Sequence, residues 1–318
     1  LLAAPLQAQQ QYDFIRYSLS EGLPQSQVFA AMQDSRGYMW LGTQGGGVCR
    51  FDGSKFDMFT ADDGLPSKYV TALFEDSKHR IWVGTNRGFS RFDGKKWHSN
   101  DRFTDQVNVF AEIPGKGILA GSNNWLTLAG AKETSAYPRH GISSALPVYS
   151  LFPTTTGIWV GTNKGAYLLD KPGQNLTTAN GLPSNLVRAF TRDGQGNLWV
   201  ATPGGIAVVD ETRLKVLAVH KNPLFESVLC LQADSEGKMW VGTAGNGIAI
   251  WSPSDSSWTS ITEQQGLPHN HVRALVRERH RPQVLGRVDD RPDGRCVARE
   301  EAPRLRHVAP PERTREAE

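Results

Sequence analysis

Sulfur is scarce in this chain: 318 residues contain three cysteines and four methionines. Cys49, Cys230 and Cys296 make no CxxC pair and no metal-ligand spacing, which excludes a disulfide scaffold or a zinc site. Cys49 and Cys230 instead read as small buried strand residues. Long apolar runs are missing as well, and no stretch reaches the roughly 18–20 residues needed to span a bilayer. Charge of one sign is missing: a formal net charge of +3 leaves no footprint for nucleic acid or an acidic membrane. There is no glycine-rich phosphate loop, no Gly-x-Ser-x-Gly and no His-Glu-x-x-His. No catalytic residue, metal ligand or cofactor is therefore nominated.

What the chain does have is tryptophan (9) and glycine (32), arranged in a repeat. One phrase returns as Trp40-Leu41-Gly42-Thr43, Trp82-Val83-Gly84-Thr85, Trp159-Val160-Gly161-Thr162, Trp199-Val200-Ala201-Thr202 and Trp240-Val241-Gly242-Thr243. The spacing is about 40 residues, and the doubled interval between Trp82 and Trp159 hides a worn copy at Ile118-Leu119-Ala120-Gly121-Ser122. A second phrase precedes several copies: Gly22-Leu23-Pro24, Gly64-Leu65-Pro66, Gly181-Leu182-Pro183 and Gly266-Leu267-Pro268. Six units are visible and a seventh begins at Gly266.

Each unit divides into four short extended segments. In the second, Tyr69 to Phe74 is apolar enough for a buried strand, and Ile81-Trp82-Val83-Gly84 follows a polar turn. Phe89-Ser90-Arg91-Phe92 alternates as a half-buried strand does, Asp93-Gly94 signals a hairpin, and Lys96-Trp97-His98 reads as the outermost strand. Four strands per unit of about 40 residues is the period of a β-propeller blade. Tryptophan then wedges between blades that diverge outward, and the glycine lets backbones approach. Gly-Leu-Pro carries the chain from one blade's outer strand to the next blade's inner strand. Asp34, Glu75, Asp76, Asp193 and Asp234 recur at the same turn, so they read as turn formers and not as catalytic acids.

Gly-Leu-Pro-Ser-Lys-Tyr-Val (64–70), Phe-Glu-Asp-Ser (74–77), Ile-Trp-Val-Gly-Thr-Asn-Arg-Gly (81–88) and Arg-Phe-Asp-Gly (91–94) closely resemble the two-component regulator propeller repeats. The resemblance covers residues 12–276, with the unit around 101–140 poorly kept. It implies the periplasmic sensor region of a membrane-spanning histidine kinase or related receptor, followed elsewhere by a small β-sandwich, a membrane helix and a kinase. A secreted propeller enzyme such as a lyase is the alternative function.

Tyr12 to Tyr17 matches, by register, the outermost strand of a blade, which a final blade would complete. The expected fold is thus an all-β propeller of four-stranded blades, six complete and a seventh started, meant as a seven-bladed ring. Residues 1–9 look like the end of a secretory signal peptide, or else a disordered tail; residues 10–276 form the propeller. Residues 277–318 break the pattern, with 11 arginines and no lysine, tyrosine, phenylalanine, tryptophan, isoleucine or methionine. Codons allowed for Glu278 to Gly294, read one nucleotide forward, can encode Ser-Gly-Thr-Gly-Arg-Lys-Phe-Trp-Val-Gly-Ser-Thr-Thr-Gly-Arg-Thr-Gly, with tryptophan falling at Leu285. That segment is read as an out-of-frame, disordered Arg/Pro-rich tail, which would leave the N-terminal strand unpartnered and the ring open.

The working face of a propeller is the channel mouth, where inter-blade connections and middle hairpins gather. Gln27, Tyr69, Asn185, Arg188 and His271 are the candidate ligand-binding residues there, suited to a polar small molecule or an oligosaccharide. His269 and His271 lie two apart, but no third metal ligand follows by spacing. Homodimerisation is the other partner expected, in the periplasm.

Overall fold

The computed structural model describes residues 13–25, 27–100, 103–124, 126–129, 134–137, 146–277, 282–287 and 295–299, so the 1–9 segment lies outside the described residues. Six four-stranded antiparallel sheets follow one another along the chain, each in the simple order of its strands. Blade 2 is representative: Val70–Glu75, Ile81–Thr85, Gly88–Phe92 and Trp97–Ser99, from the innermost strand outward. The innermost strands of the other blades are Val28–Gln33 (blade 1), Val107–Ile113 (3), Ser150–Pro153 (4), Ala189–Arg192 (5) and Val228–Ala233 (6). The helical turns among the described residues are 3₁₀ segments of three to five residues.

A seventh sheet joins Asp13–Tyr17 to Arg295–Arg299, Pro282–Arg287 and His271–Arg277. This corrects the expectation that the N-terminal strand has no partner: Asp13 pairs with Arg299 and Tyr17 with Arg295. Without the strands between them, Asp13–Tyr17 and His271–Arg277 would each present an edge of unpaired backbone donors and acceptors, and any extended segment can satisfy those. Composition limits what packs on a blade more than what pairs along its edge. The rest of the 278–318 segment, and the side chains of its two strands, lie outside the described residues.

The repeated residues form one device. Each tryptophan is buried between its own blade and the next, Trp40 among Val70, Ile81, Val83 and Phe92, and Trp240 beside Val272. Its indole N–H donates to the acid that opens the preceding turn: Trp40 to Asp34 at 3.0 Å, Trp82 to Asp76 at 2.8 Å, Trp199 to Asp193 at 2.9 Å and Trp240 to Asp234 at 2.8 Å. The other carboxylate oxygen accepts backbone N–H groups of the turn, as Asp34 does from Arg36 and Tyr38. One acid therefore closes a hairpin and satisfies a buried donor. Burial opposes ionisation of Asp76, yet bonds from Trp82 and Arg80 outweigh it and hold this carboxyl below its usual range. Glu75 is the exception among the five acids, since it accepts from Ser35 of blade 1 and ties two blades together.

Glycine follows two residues after the tryptophan because the next blade's valine sits there. A Cβ on Gly84 would meet Val107 Cγ1 at 2.9 Å, and one on Gly242 would meet Val272 Cγ1 at 2.8 Å. Threonine closes the hairpin, with Thr85 Oγ1 donating to the Gly88 carbonyl at 2.9 Å and accepting from Arg87 N–H at 3.1 Å. Gly-Leu-Pro ends a capped 3₁₀ turn: Gly64 has φ 107°, and Thr60 and Asp63 form the capping box. Leu23, Leu65, Leu182 and Leu267 are all buried.

Two blades depart from the device, each consistently. Blade 3 has lost the tryptophan and the acid together, and Leu119 fills the register position. Blade 4 keeps Trp159 but has Thr154 where the acid belongs, and Glu211 of blade 5 supplies the acceptor at 3.2 Å.

Candidate functional site

The chain enters every blade by the same route, and that route builds the channel mouth. Valine recurs at the entry as Val28, Val70, Val107, Val148, Val187, Val228 and Val272, all buried. In blades 4 and 5 the expected inner-strand valines sit just outside the strand, with Val148 and Val187 donating instead to Ser122 and Thr162 of the preceding blade. The hairpin after each threonine is stapled to the next blade's entry. Gly45 and Gly47 donate to Lys68, Gly88 to Asp105, Gly165 to Asn185, and Gly245 and Gly247 to Asn270.

The residue after each valine is bulged. The register skips Phe29, Thr71, Asn108, Leu229 and Arg273. Tyr149 and Arg188 donate to Gly161 and Ala201, whose partners are already Ser150 and Ala189, so the same bulge occurs in blades 4 and 5. A bulge turns its side chain out of the strand's alternation. These seven half-buried side chains form a belt linking the innermost strands. Asn108 Nδ2 donates to Val148 O at 3.0 Å, Thr71 Oγ1 to Val107 O at 2.5 Å, and Arg188 lies over the Tyr149 ring at 4.8 Å. Arg273 lies over the Phe29 ring at 4.0 Å and closes the circle between blades 7 and 1.

The five candidate residues all fall on these entries, on one face of the ring. Gln27 accepts from Gln44 N–H through its carbonyl, and Tyr69, 47% exposed, accepts likewise from Asn86. Asn185 is occupied locally, its Oδ1 accepting from Thr178 N–H at 2.8 Å, so it caps the preceding turn. His271 N–H donates to His269 Nδ1 at 3.0 Å, which spends a ring nitrogen on the entry loop. Arg188 alone of the five belongs to the belt. Phe29, Asn108, Tyr149 and Arg273 were missed, although the position after the repeated valine marks them. Burial pushes the Cys230 thiol up to about 12, which makes it inert at neutral pH.

The family model for the two-component regulator propeller matches residues 22–45, 64–87, 181–204 and 223–245. Four of the blades carry the two-component regulator propeller repeat. Each match runs from the entry turn to just past threonine, in blades 1, 2, 5 and 6; blades 3 and 4 are the two that have lost the acid. No curated protein matches the chain. Among solved structures, an extracellular domain ascribed to a hybrid two-component system of B. thetaiotaomicron superposes with a TM-score of 0.75 at 21% identity. That alignment covers 90% of this chain and 41% of the domain, so the chain spans well under half of its relative. A second B. thetaiotaomicron extracellular domain, ascribed to a one-component system, gives 0.74 at 18% identity, covering 92% of this chain and 41% of that one. Virginiamycin B lyase from Staphylococcus aureus gives 0.70 at 12% identity, covering 91% and 98%. At these identities the superpositions show a shared propeller architecture.

Proposed function

We propose that this chain is the ligand-sensing, extracytoplasmic propeller of a two-component signalling receptor, and that it binds a polar ligand such as an oligosaccharide at the channel mouth. The observation that carries this reading is the belt. Scaffold positions repeat from blade to blade, whereas the seven bulge positions hold seven side chains of six residue types, aromatic, amide, hydroxyl, aliphatic and cationic. A structural role would be met by one residue type repeated, as it is for valine; diversity on a rigid scaffold suits recognition. The repeat family and the extracellular relatives support the sensing role. No helix of the described residues is long and apolar enough to cross a membrane, so an output across one requires a segment beyond those described. The lyase likeness, at 12% identity, extends to the ring alone.

Glycan-array screening of the wild type beside Tyr69→Ala and Arg188→Ala tests the reading. Binding that both substitutions weaken is expected. Binding that neither alters would move the site to a lateral surface, and sedimentation of the same samples with ligand reads whether the chain dimerises.

A further inference from the structure

Arg188 differs from the arginines that pair with an acid inside their own blade. Arg50, Arg80 and Arg192 are each held by a carboxylate, from Asp57, Asp76 and Glu211, at 2.6–2.7 Å. The Arg188 guanidinium has no carboxylate within ion-pair distance and no side-chain hydrogen bond among the described residues. Its contact is the face of Tyr149. Stacking engages the π face of a guanidinium and leaves its N–H donors, which lie in the plane, directed outward. Such a group is held beside the ring while its N–H donors remain available to an acceptor.

The surroundings favour an anionic one. Phe29, Thr71, Asn108, Tyr149, Arg188, Leu229 and Arg273 include two cations and no acid. Asp105 and Glu226 stand two residues before the repeated valine, outside the belt, and both oxygens of Asp105 are engaged by Ser122 and Asn124. Cations gathered in a mouth with low-dielectric walls attract one sign of charge. We propose that the channel mouth is an oxyanion site: Arg188, oriented by Tyr149, takes the carboxylate or sulfate group of a small ligand in its fork, and Arg273 adds to the positive field. This rests on the belt being the ligand site, and it names the chemistry that site selects.

Titration calorimetry of the whole chain with galacturonate, galactose 6-sulfate and galactose tests it. At least one of the two anions binds and galactose binds more weakly. Arg188→Ala weakens the anion by about 10- to 100-fold, the worth of hydrogen bonds to a charged group. Arg188→Lys, which keeps charge and loses the fork, weakens it less than alanine does. Lys215→Ala, far out on blade 5, leaves it unchanged. Binding of the uronate alone assigns a carboxylate ligand, binding of the sulfate alone a sulfated one, and equal binding a site that reads charge without shape. Arg188 makes no ion pair or side-chain hydrogen bond among the described residues, so its variants should melt with the wild type, which a circular-dichroism melt verifies. The proposal is overturned if neither anion binds at about 10 mM, or if either binds Arg188→Ala as tightly as wild type. Galactose binding that depends on Tyr69 and is indifferent to Arg188 would overturn the oxyanion site while leaving ligand sensing intact.

Discussion

Replacing Gly84 by alanine should destabilise the ring, although the same change at an ordinary extended position would stabilise it. An unstrained Gly→Ala change gains about 0.4–1 kcal/mol, mainly through the unfolded chain. Gly84 does not occupy left-handed backbone, so conformation poses no obstacle. Space does: the new Cβ would lie 2.9 Å from Val107 Cγ1, 3.0 Å from Val107 Cβ and 3.1 Å from Ala72 Cβ. Carbon atoms rest at about 3.5–4.0 Å, and neither neighbour has a flexible end to swing away. Overpacking of this kind costs about 1–3 kcal/mol, so the net loss is about 1–2 kcal/mol, or some 2–4 °C of melting temperature per kcal/mol. Val107→Ala removes two buried methyls and alone costs about 2–3 kcal/mol. In the double variant the alanine methyl moves into the vacated space, so the two penalties should fall short of additivity by about 1 kcal/mol or more. Ala201 of blade 5 shows that the position can hold a methyl, since it packs in one cluster with Val228. Differential scanning calorimetry of the four proteins is the assay. Gly84→Ala melting at or above wild type, or penalties that simply add, would refute the steric account.

Trp199→Ala should cost about 3–5 kcal/mol as a large-to-small core change; a loss below about 1 kcal/mol in thermal unfolding would mean the indole is not a wedge. Burial lowers the His220 pKa below its usual value, and the ring is stacked on Trp199 at 5.1 Å and tilted against Trp251 at 4.6 Å. The unfolded chain then binds the proton first, so this stability is complete above pH 6.5 and is lost as pH falls from there through the folded value. Melting temperatures between pH 7 and 5 should fall less steeply for His220→Phe than for wild type, and parallel slopes would discount the group. Glu211→Ala leaves Trp159 and Arg192 without their acceptor and should cost about 1.5–3 kcal/mol. Thr154→Asp should be unfavourable alone, with Glu211 at hand, and should rescue Glu211→Ala by restoring the acid at the position the other blades use; rescue failing in a thermal melt would sink that equivalence.

The fold was legible because a propeller writes its physics into each repeat. A tryptophan, a glycine two residues on and an acid at the preceding turn each answer a need that recurs at every inter-blade gap. Their periodicity exposed the period, the strand count and the use of Asp13–Tyr17 as a closing strand. Less of the site was legible. Asn185 looked like a ligand amide, but its Oδ1 serves Thr178 N–H, a contact between residues seven apart that composition cannot announce. Tyr149 and Phe29 were not singled out, because the bulge they occupy is a matter of register and leaves no mark on residue type. Pairing of Asp13–Tyr17 with Arg295–Arg299 was not foreseen either, since backbone hydrogen bonds ask little of the side chains that flank them.

The same division explains how one scaffold can be retuned without being rebuilt. Val107 and Gly84 are coupled across a blade interface, so a change in either must be answered by the other. The next residue, Asn108, hangs from a bulge, and its side chain reaches the neighbouring blade through polar contacts at its tip. Substitution there disturbs no wedge, no staple and no turn. The positions after the seven valines are therefore half-buried sites where the side chain can change while the wedge, the staple and the turn stay in place. Arg188 and Tyr149 make the point in one contact: two neighbouring blades, each satisfying the repeat at Val187 and Val148, present between them a cation on an aromatic face that the repeat itself never specified.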